Sequence, residues 1–398
     1  MEKVFLALYG GEPIRKTIIY YGRQWIEEDD IRAVAEALND DLITTGPRAG
    51  LFEELFADYV GSKEAVVVSN GTAALHAAMY AAGIKEGDEV IVPAMTFAAS
   101  ANCVVFQGGT PIFADVRDDT LLIDPEDVLR KLTDRTRAII PVDYSGQPCD
   151  YDKLNEIAKE HNLKIIADAC HSIGGNYKGR NVGTLADLST FSFHPVKHLT
   201  SGEGGMIATD DSEWAKKMRT FRTHGITTDH KLREERGTWF YEMTDLGYNY
   251  RITDFQCALG MNQLKKLPDR ILRRREIAAR YDEAMKNLQG ISPLEVRGDS
   301  HHVYHLYIVR IDREYLGVDR LEIFSALWAE GIGVHVHYIP VHLHPYYQRS
   351  FGTRIGQCPI AESAYEEILT LPLYPSMTND DVNDVINGVE KVLRAYQG

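Results

Sequence analysis

The sequence predicts an α/β fold, with a mostly parallel sheet in a large domain and a smaller α+β domain at the C-terminal end. Short β-branched runs alternate with helical stretches from "EAVVVSNGTAALHAAMYAAGI" (64–84) to "LKIIADACHSIGG" (163–175), the pattern of a parallel sheet covered by helices. The runs "IIPV" and "KIIA" are almost wholly apolar, as strands buried on both faces are. From about residue 302 the pattern changes to strands such as "VYHLYIVRI" (303–311) with separate helices.

These elements divide the chain into three predicted parts. Residues 1–30 form an N-terminal segment, and residues 31–260 form the large α/β domain. The charged stretch "PDRILRRREIAARYDEAMKNL" (268–288) is typical of one long helix that connects two domains. Residues 261–398 are therefore expected to hold this connector helix and the small C-terminal domain.

The composition is ordinary for a globular protein and excludes several classes of function. The 398 residues carry 43 basic and 58 acidic side chains, a net charge of −15, so we expect no binding to nucleic acid or to an anionic membrane. No run of about 18 apolar residues and no signal-peptide pattern occurs. An odd number of cysteines without C-x-x-C spacing indicates free thiols, which predicts a reducing, cytoplasmic location and no zinc site. The cysteines are Cys103, Cys149, Cys170, Cys257 and Cys358.

Four features follow predicted strands, at the sheet edge where open α/β proteins bind ligands. The turn "SNGTAAL" (69–75) opens a helix and is either a phosphate site or a simple tight turn. Phe97 follows the run "VIV" and is either a stacking aromatic or a core residue. Asp168 ends the strand "KIIAD", where a buried carboxylate needs a cationic partner such as a protonated ring nitrogen. His171 is either a turn residue or part of the same site.

The stretch "FSFHPVKHLTSGEGG" (191–205) places Lys197 between an apolar turn and a glycine-rich hairpin. Two interpretations are open from this stretch alone. One is a surface lysine in a loop, because an unpaired buried ammonium is costly. The other is a lysine at a cofactor, where desolvation lowers the pKa and frees the amine as a nucleophile. Ser192, near the start of the stretch, offers a hydroxyl to an anion.

Taken in chain order, these features match the needs of pyridoxal 5′-phosphate (PLP): a helix N-terminus for its phosphate, an aromatic for its ring face, a carboxylate for its ring nitrogen and an amine for its aldehyde. With the Lys197 segment and "GYNYRITDFQCALG" (247–260), the chain resembles the DegT/DnrJ/EryC1/StrS family of sugar aminotransferases over nearly its whole length. The resemblance implies the aspartate-aminotransferase-like fold (PLP fold type I). It also implies an enzyme that aminates nucleotide-linked keto-sugars, with Lys197 as the catalytic residue bonded to PLP.

The resemblance also implies which residues contact the cofactor. The helix turn and Ser192 match the phosphate site, Phe97 matches the stacking position, and Asp168 matches the partner of the ring nitrogen. His171 matches a position near the ring hydroxyl. Asn249 matches an asparagine that reaches the phosphate from the neighbouring subunit, which implies a homodimer with shared active sites. The implied cofactor contacts are Gly71, Thr72, Ala73, Phe97, Asp168, His171, Ser192, Lys197 and Asn249.

Three stretches resemble one subgroup of the family: "LITTGP" (42–47), "PVDYSGQP" (141–148) and "VHVHYIPVHLHPYY" (334–347). That subgroup uses L-glutamate and a UDP-linked 4-keto-6-deoxy-N-acetyl sugar to make UDP-4-amino-4,6-dideoxy-N-acetyl-β-L-altrosamine for pseudaminic acid biosynthesis. The N-terminal segment is then expected to line the active site. The implied substrate contacts are Tyr21, Asp41, Thr44, Arg251, His337 and Tyr338. Without the resemblance, Asn249 and Arg251 are more simply explained as residues that cap and anchor a loop.

Several alternatives stay open at this point. His335 and His337 share a strand face, which invites a metal hypothesis, but no cluster of Asp, Glu or Cys completes such a site and no metal is predicted. A dehydratase of the same fold carries histidine where this chain has Lys197, which argues against it. An aminotransferase for a D-configured or dTDP-linked sugar differs only in its substrate pocket. A non-enzymatic regulator on this scaffold needs a DNA-binding module, and the sequence shows none.

Overall fold

The computed structural model describes residues 5–227 and 237–397, so a few residues of the predicted N-terminal segment and Gly398 lie outside the described residues. The strands are β1 (Ile19–Tyr20), β2 (Glu64–Val68), β3 (Glu89–Pro93), β4 (Thr110–Ala114), β5 (Thr136–Ile139), β6 (Lys164–Asp168), β7 (Asn176–Tyr177), β8 (Arg180–Asn181), β9 (Leu188–Ser192), β10 (Gly205–Thr209), β11 (Ile291–Pro293), β12 (Ser300–His301), β13 (Tyr307–Ile311), β14 (Ile332–Gly333) and β15 (Ile368–Leu371).

Helices cover both faces of the central sheet and build the C-terminal part. They are α1 (Glu28–Leu38), α2 (Pro47–Val60), α3 (Gly71–Ala81), α4 (Ala99–Phe106), α5 (Pro125–Lys131), α6 (Tyr151–His161), α7 (Ser212–Phe221), α8 (Asp254–Lys265), α9 (Leu267–Met285), α10 (Arg313–Leu316), α11 (Arg320–Ala329), α12 (Pro345–Phe351), α13 (Pro359–Glu367) and α14 (Asn379–Tyr396). Among the described residues, no helix combines the length and apolarity needed to cross a membrane.

The central sheet has seven strands in the order β2-β10-β9-β6-β5-β3-β4, and β10 runs opposite to the other six. Every residue of β3 and β10 is buried, as expected for strands covered on both faces. The predicted α/β class with a mostly parallel sheet is therefore confirmed. Because β2, β3, β6 and β9 run in the same direction, the four stretches that follow them meet at one edge of the sheet.

The first turn of α3 packs tightly against the middle of the sheet, and this packing requires glycine. Asn70 caps the helix, since its side-chain oxygen accepts from the amide of Ala73 at 2.8 Å. A Cβ on Gly71 would lie 2.8 Å from the Cβ of Ser192, and a Cβ on Gly205 would lie 2.4 Å from the carbonyl oxygen of Asn70. The helix N-terminus is thereby held against the end of β9.

A second hydrophobic core lies in the C-terminal part, under the antiparallel sheet β11-β13-β15. Helix α9 contributes to both cores: Ile271 packs in the first, and Ile277 and Tyr281 pack in the second. The predicted strand 303–311 begins only at Tyr307, because Tyr304 has φ +49° and interrupts the extended backbone. The predicted domain boundaries at residues 30 and 260 stay a prediction.

The N-terminal segment packs on the C-terminal part of the chain. Strand β1 pairs in parallel with β14. The fully buried carboxylate of Glu330 accepts from the amides of Ala7 (2.8 Å) and Ile14 (3.0 Å). The same carboxylate accepts from Nζ of Lys391 in α14 at 2.8 Å. A single acidic side chain thus ties the beginning of the described chain to its last helix.

Candidate active site

Lys197 lies just beyond β9, with its side chain at the shared edge of the sheet. Its Nζ is 3.4 Å from Nε2 of His305. Desolvation lowers the pKa of Lys197 below its ordinary value, while the nearby Cys170 and Asp168 oppose that shift. A lysine with a lowered pKa holds more of its amine in the free, nucleophilic form. The half-buried side chain of Lys197, with its amine beside His305, favours the cofactor interpretation over that of an ordinary surface lysine.

Asp168 ends β6 and is 7% exposed. Ser100 donates its hydroxyl to one carboxylate oxygen at 2.6 Å, and the amide of Cys170 donates to the other at 3.3 Å. Thr96 extends this network, because its hydroxyl lies 2.8 Å from that of Ser100. Ser100 and Thr96 were not predicted as site residues. Their signal is their position: they follow β3, at the same edge of the sheet as Asp168.

The predicted phosphate turn and Ser192 lie together. The first amides of a helix have no partner within it, so those of Gly71 and Thr72 are the donors available to an anion. The amide of Ala73 already donates to the cap residue Asn70, which makes Ala73 a weaker candidate than its neighbours. Ser192 lies against Gly71, as the close approach of their Cβ positions shows.

Phe97, His171 and Tyr338 form the aromatic part of the site. Phe97 is 58% exposed, so the alternative that it is a core residue is wrong. Its ring centroid lies 5.9 Å from that of Tyr338. The hydroxyl of Tyr338 is 3.2 Å from Nε2 of His171, and burial holds the pKa of His171 well below its ordinary value. The structure thus brings Phe97 and His171 together with Tyr338, a predicted substrate contact far along the chain.

His337 and Tyr21 extend this wall. Their ring centroids lie 4.8 Å apart. Nδ1 of His337 is 2.8 Å from the hydroxyl of Thr370, and its carbonyl oxygen accepts from the hydroxyl of Tyr144. Burial, with smaller effects of the neighbouring His335 and Lys197, lowers the pKa of His337 to about 3. His337 is therefore a neutral imidazole at physiological pH.

The other predicted contacts form a second group. Thr44 makes a bridge with Thr253, and the loop around Asn249 makes a bridge with Thr223. Asp41, Thr44 and Asn249 are exposed. Arg251 is half-buried and lines a cavity of about 520 Å³ with residues at the start of α2 and residues of α7. Among the contacts of the described residues, none joins this second group to Lys197.

The described residues give no support to a metal site. The one group of three potential ligands among them is Glu27, Asp29 and Asp30. Nζ of Lys266 lies 3.0, 2.5 and 3.1 Å from these carboxylates, so an ammonium occupies the position that a cation would take. In the predicted histidine stretch, Nε2 of His342 contacts Glu362 at 2.8 Å, which gives that ring nitrogen a protein partner.

Comparison with known proteins assigns the chain to a family. The model of the DegT/DnrJ/EryC1/StrS aminotransferase family matches residues 24–390. The chain belongs to this family. The spore coat polysaccharide biosynthesis protein SpsC of Bacillus subtilis is 42% identical over 382 residues, 96% of this chain and 98% of that protein.

Solved structures agree with this assignment. The chain is similar to Helicobacter pylori PseC, an aminotransferase involved in the biosynthesis of pseudaminic acid, at a TM-score of 0.89 and 31% identity, over 95% of this chain and 100% of that one. It is equally similar to the putative sugar aminotransferase Spr1654 of Streptococcus pneumoniae. The pyridoxamine phosphate (PMP) form of Spr1654 gives a TM-score of 0.90 and 31% identity over 95% and 100% of the two chains, and the PLP form gives 0.88 and 31% over 95% and 99%. The predicted family, fold, enzyme class and cofactor are confirmed.

The residues at the sheet edge fit PLP. Nδ1 of His171 is buried and has no hydrogen-bond partner among the described residues, so this wall offers an unused polar atom. The polar groups at this edge also fit. The desolvated amine of Lys197 matches the aldehyde of PLP, the carboxylate of Asp168 matches its ring nitrogen, and the N-terminus of α3 beside Ser192 matches its phosphate.

Proposed function

We propose that the chain transfers the amino group of L-glutamate to C4 of a UDP-linked 4-keto-6-deoxy-N-acetyl sugar. The product would be UDP-4-amino-4,6-dideoxy-N-acetyl-β-L-altrosamine, a precursor for pseudaminic acid biosynthesis. The observation that carries the transfer chemistry is the desolvated amine of Lys197 at the same sheet edge as Asp168. The choice of sugar is supported by the likeness to PseC over 95% of the chain.

Residues of the large domain would hold PLP. The amides of Gly71 and Thr72 and the hydroxyl of Ser192 bind the phosphate, and the exposed ring of Phe97 covers one face of the cofactor ring. Asp168 would bind the ring nitrogen and favour its protonated form, because Ser100 and an amide hold the carboxylate in place as an acceptor. When bound, PLP supplies an aldehyde for amine exchange and a ring that takes up an electron pair from the Cα of the donor.

Lys197 carries the proton transfers. With PLP bound, the amine of Lys197 would hold the aldehyde of the cofactor, and glutamate would free that amine by taking its place. The free amine would then move a proton away from Cα of glutamate, acting first as a base and then as an acid. The lowered pKa of Lys197 favours its role as a base, because an amine with a pKa below its ordinary value is more often free to accept a proton.

The opposite wall would bind the sugar. Tyr21, His337 and Tyr338 present rings and polar atoms to the same space, and Tyr338 links this wall to His171. Asp41, Thr44 and Arg251 lie in the second group described above, so they would reach a sugar nucleotide only from another subunit.

This division of the residues supports a homodimer with shared active sites. The segment that precedes Asn249 exposes large apolar side chains, with Trp239 84%, Met243 65% and Leu246 68% exposed. Exposed apolar groups clustered in this way are typical of a subunit interface. The backbone beside Asn249 is anchored to the end of β2, where Ser69 donates its amide to Tyr250 at 2.9 Å. Asn249 itself is exposed, as a residue that reaches the partner's phosphate would be.

A second candidate substrate is another nucleotide-linked 4-keto-6-deoxy sugar, D-configured or dTDP-linked. The observation in its favour is that SpsC, named for a spore coat polysaccharide, is 42% identical to this chain, whereas PseC is 31% identical. The Lys197 and Asp168 chemistry is the same for either sugar.

The proposal is tested by assaying the purified enzyme with L-glutamate and a panel of UDP- and dTDP-linked 4-keto-6-deoxy sugars. We expect 2-oxoglutarate and an amino sugar to form fastest with the UDP-linked N-acetyl sugar. Preference for a dTDP-linked sugar would transfer the assignment to the second candidate. Failure with every sugar, by enzyme that still exchanges its amino group with glutamate, would overturn the sugar assignment.

The shared site is tested by mixing two inactive variants, Lys197→Ala and Asn249→Asp, the second of which places a negative charge against the phosphate. If each site takes Lys197 from one subunit and Asn249 from the other, one site in every mixed dimer carries neither defect, so activity should return in part. An active monomer in sedimentation, or no recovery despite proven subunit exchange, would contradict the shared site.

A further inference from the structure

His305 lies beside the catalytic amine although it belongs to the C-terminal part of the chain. Its Nε2 is 3.4 Å from Nζ of Lys197, and the residue is 5% exposed. Its Nδ1 is buried without a hydrogen-bond partner among the described residues. Its ring centroid lies 4.3 Å from that of His171 and 5.5 Å from that of His198. The Lys197 amine is therefore the polar contact of this imidazole.

A buried arginine fixes the backbone of His305 from one side. The guanidinium of Arg274, in α9, donates to the carbonyl oxygens of Tyr304 (3.1 Å), His305 (3.3 Å) and Leu373 (3.0 Å). Arg274 is 2% exposed and forms no ion pair with a carboxylate among the described residues. A charge buried without a counter-ion is costly, so its three carbonyl contacts are what hold it there.

A tight turn fixes the same segment from the other side. The amide of Val303 donates to Gly146 at 3.1 Å, and the amide of Leu306 donates to the preceding residue of that turn at 3.1 Å. Gly146 has φ +107°, and a Cβ there would lie 2.9 Å from the carbonyl oxygen of His171 and from the amide of His305. The turn, the His171 loop and the His305 segment thus pack with no space for a side chain between them.

These surroundings keep His305 neutral. Burial lowers the pKa of His305 well below its ordinary value, and the positive charges of Lys197 and Arg274 lower it further. A neutral imidazole has one donor and one acceptor nitrogen, so Nε2 can hydrogen-bond an amine in either state of the pair. The other titratable groups that face Lys197 are Asp168, Cys170, His171, His198 and His337.

We propose that His305 is a positioning residue for Lys197: its Nε2 holds the released amine in place for the proton transfer. The proposal rests on the proposed role of Lys197. An unbranched lysine chain has four rotatable bonds, so a released amine without a partner would sample many positions. The segment between Arg274 and the Gly146 turn supplies a rigid hydrogen-bond partner. The catalytic base of the large domain is thus oriented from the C-terminal part of the chain.

The test compares two amides at one position. In His305→Gln the amide group reaches the place of Nε2, whereas in His305→Asn it reaches the place of Nδ1, which has no partner. The PLP-loaded enzymes are mixed with L-glutamate without sugar, and the conversion of PLP to PMP is followed by absorbance. We expect His305→Asn to slow the conversion at saturating glutamate about tenfold or more, since misplacement of a catalytic group by 1 Å can cost about a hundredfold. The half-saturating glutamate concentration should change less than about twofold, and His305→Gln should keep most of the rate.

A spectroscopic measurement separates positioning from general structural damage. The pH titration of the bound cofactor's absorbance should move by about half a pH unit or more in His305→Asn, the size that loss of one hydrogen bond gives. It should not move in His302→Gln, the matched control. His302 is equally buried (5% exposed) in the same segment, but its Nε2 faces the hydroxyl of Ser145 at 3.2 Å instead of Lys197.

The outcomes are distinct. Wild-type enzyme that does not convert its cofactor with glutamate would refute the proposed function. Normal conversion by wild type, with the Asn and Gln variants equal in rate and in titration, would refute the positioning role of His305. A loss in His302→Gln as large as in His305→Asn would show that the segment acts only through folding, which also refutes the proposal.

Discussion

The two walls of the active site are built differently. The wall that carries Asp168 and Ser192 is made of strand ends, whose positions are set by the ladder of the central sheet. The wall that carries His305 and His337 is held by side chains that bind backbone carbonyls: Arg274 binds His305, and the hydroxyl of Tyr144 binds His337. The fold of the first wall should tolerate single side-chain changes, because many backbone hydrogen bonds of the sheet hold it in place. Each residue of the second wall is held by one or a few contacts. We therefore expect changes in the first wall to remove chemistry, and changes to the supports of the second wall, such as the Gly146 turn, to remove structure.

The largest effect is expected from Lys197→Ala in the first wall. Removing the amine deletes both the covalent link and the proton carrier, so overall transamination should fall at least about 10⁴-fold. The melting temperature should change little, because the variant removes an amine that is costly to desolvate. The measurements are steady-state rates and thermal unfolding, with Lys178→Ala as the control for an exposed lysine. Turnover by Lys197→Ala near the wild-type rate would sink the mechanism.

Asp168→Asn should have the next largest effect. An amide cannot keep a ring nitrogen protonated as a carboxylate does, so we expect a loss of about 3 kcal/mol in transition-state stabilisation, roughly a hundredfold in rate. The amide oxygen still accepts from Ser100, so the fold should stay. The neighbouring Asp143→Asn is the matched control, and its rate should fall less than about threefold. A loss below about threefold in Asp168→Asn itself would remove Asp168 from its assigned role.

Gly146→Ala should damage the second wall through structure. The added Cβ meets backbone atoms at 2.9 to 3.0 Å and sits at φ +107°, so the free energy of unfolding should fall by about 2–4 kcal/mol. Gly317→Ala is the control, because Gly317 has φ +68° but nothing within 4 Å of its Cβ position. Its loss in free energy of unfolding should be about 1 kcal/mol, which is the cost of placing alanine at a positive φ without a steric clash. Equal losses in denaturant unfolding of the two variants would show that the Gly146 turn does not depend on close packing.

The smallest effect is a dependence of stability on pH that comes from Asp143. This carboxyl is fully buried and accepts from the hydroxyls of Ser172 (2.6 Å) and Tyr151 (2.9 Å). Burial, offset in part by these hydrogen bonds, raises its pKa from 3.8 to about 6. The folded form therefore keeps a proton that the unfolded chain loses, so stability falls as the pH rises from about 4 to about 6.

Asp143→Asn should remove that fall. The amide oxygen can keep the contact with Tyr151, and the amide NH₂ can donate to Ser172, whose hydroxyl turns to the carbonyl of Ala169 (3.4 Å). Above pH 6 the variant should match or exceed wild type by up to about 2–3 kcal/mol, the value of the pKa difference. Denaturant unfolding at about pH 4 and pH 7 measures the effect. Equal pH dependence in the two proteins would show that Asp143 does not carry it.

The sequence predicted the first wall and not the supports of the second. Asp168 and Lys197 were predictable because strand ends and a flanking apolar motif are local patterns. His305 was not, because a histidine at the start of an apolar run has no local signal. Its position depends on Arg274 and on a positive φ at Gly146, which only the folded chain reveals. The resemblance already implied that Asn249 acts from a neighbouring subunit, but no local pattern separated Thr44 and Arg251 from the contacts that lie near Lys197.

The contacts of Glu330 with the N-terminal segment and with α14 bear on the order in which a newly made chain can fold. The N-terminal segment, which brings Tyr21 to His337, binds to the carboxylate of Glu330, and the same carboxylate binds Lys391 of α14. A chain still on the ribosome can complete the central sheet, with Asp168 and Lys197 in place, before these residues have emerged. The wall around Tyr21 and His337 must wait, because β1 has no strand partner until β14 has been made, and Glu330 gains its contact with Lys391 later still. The strand end that carries Asp168 can therefore form in a nascent chain before the wall that carries Tyr21 and His337.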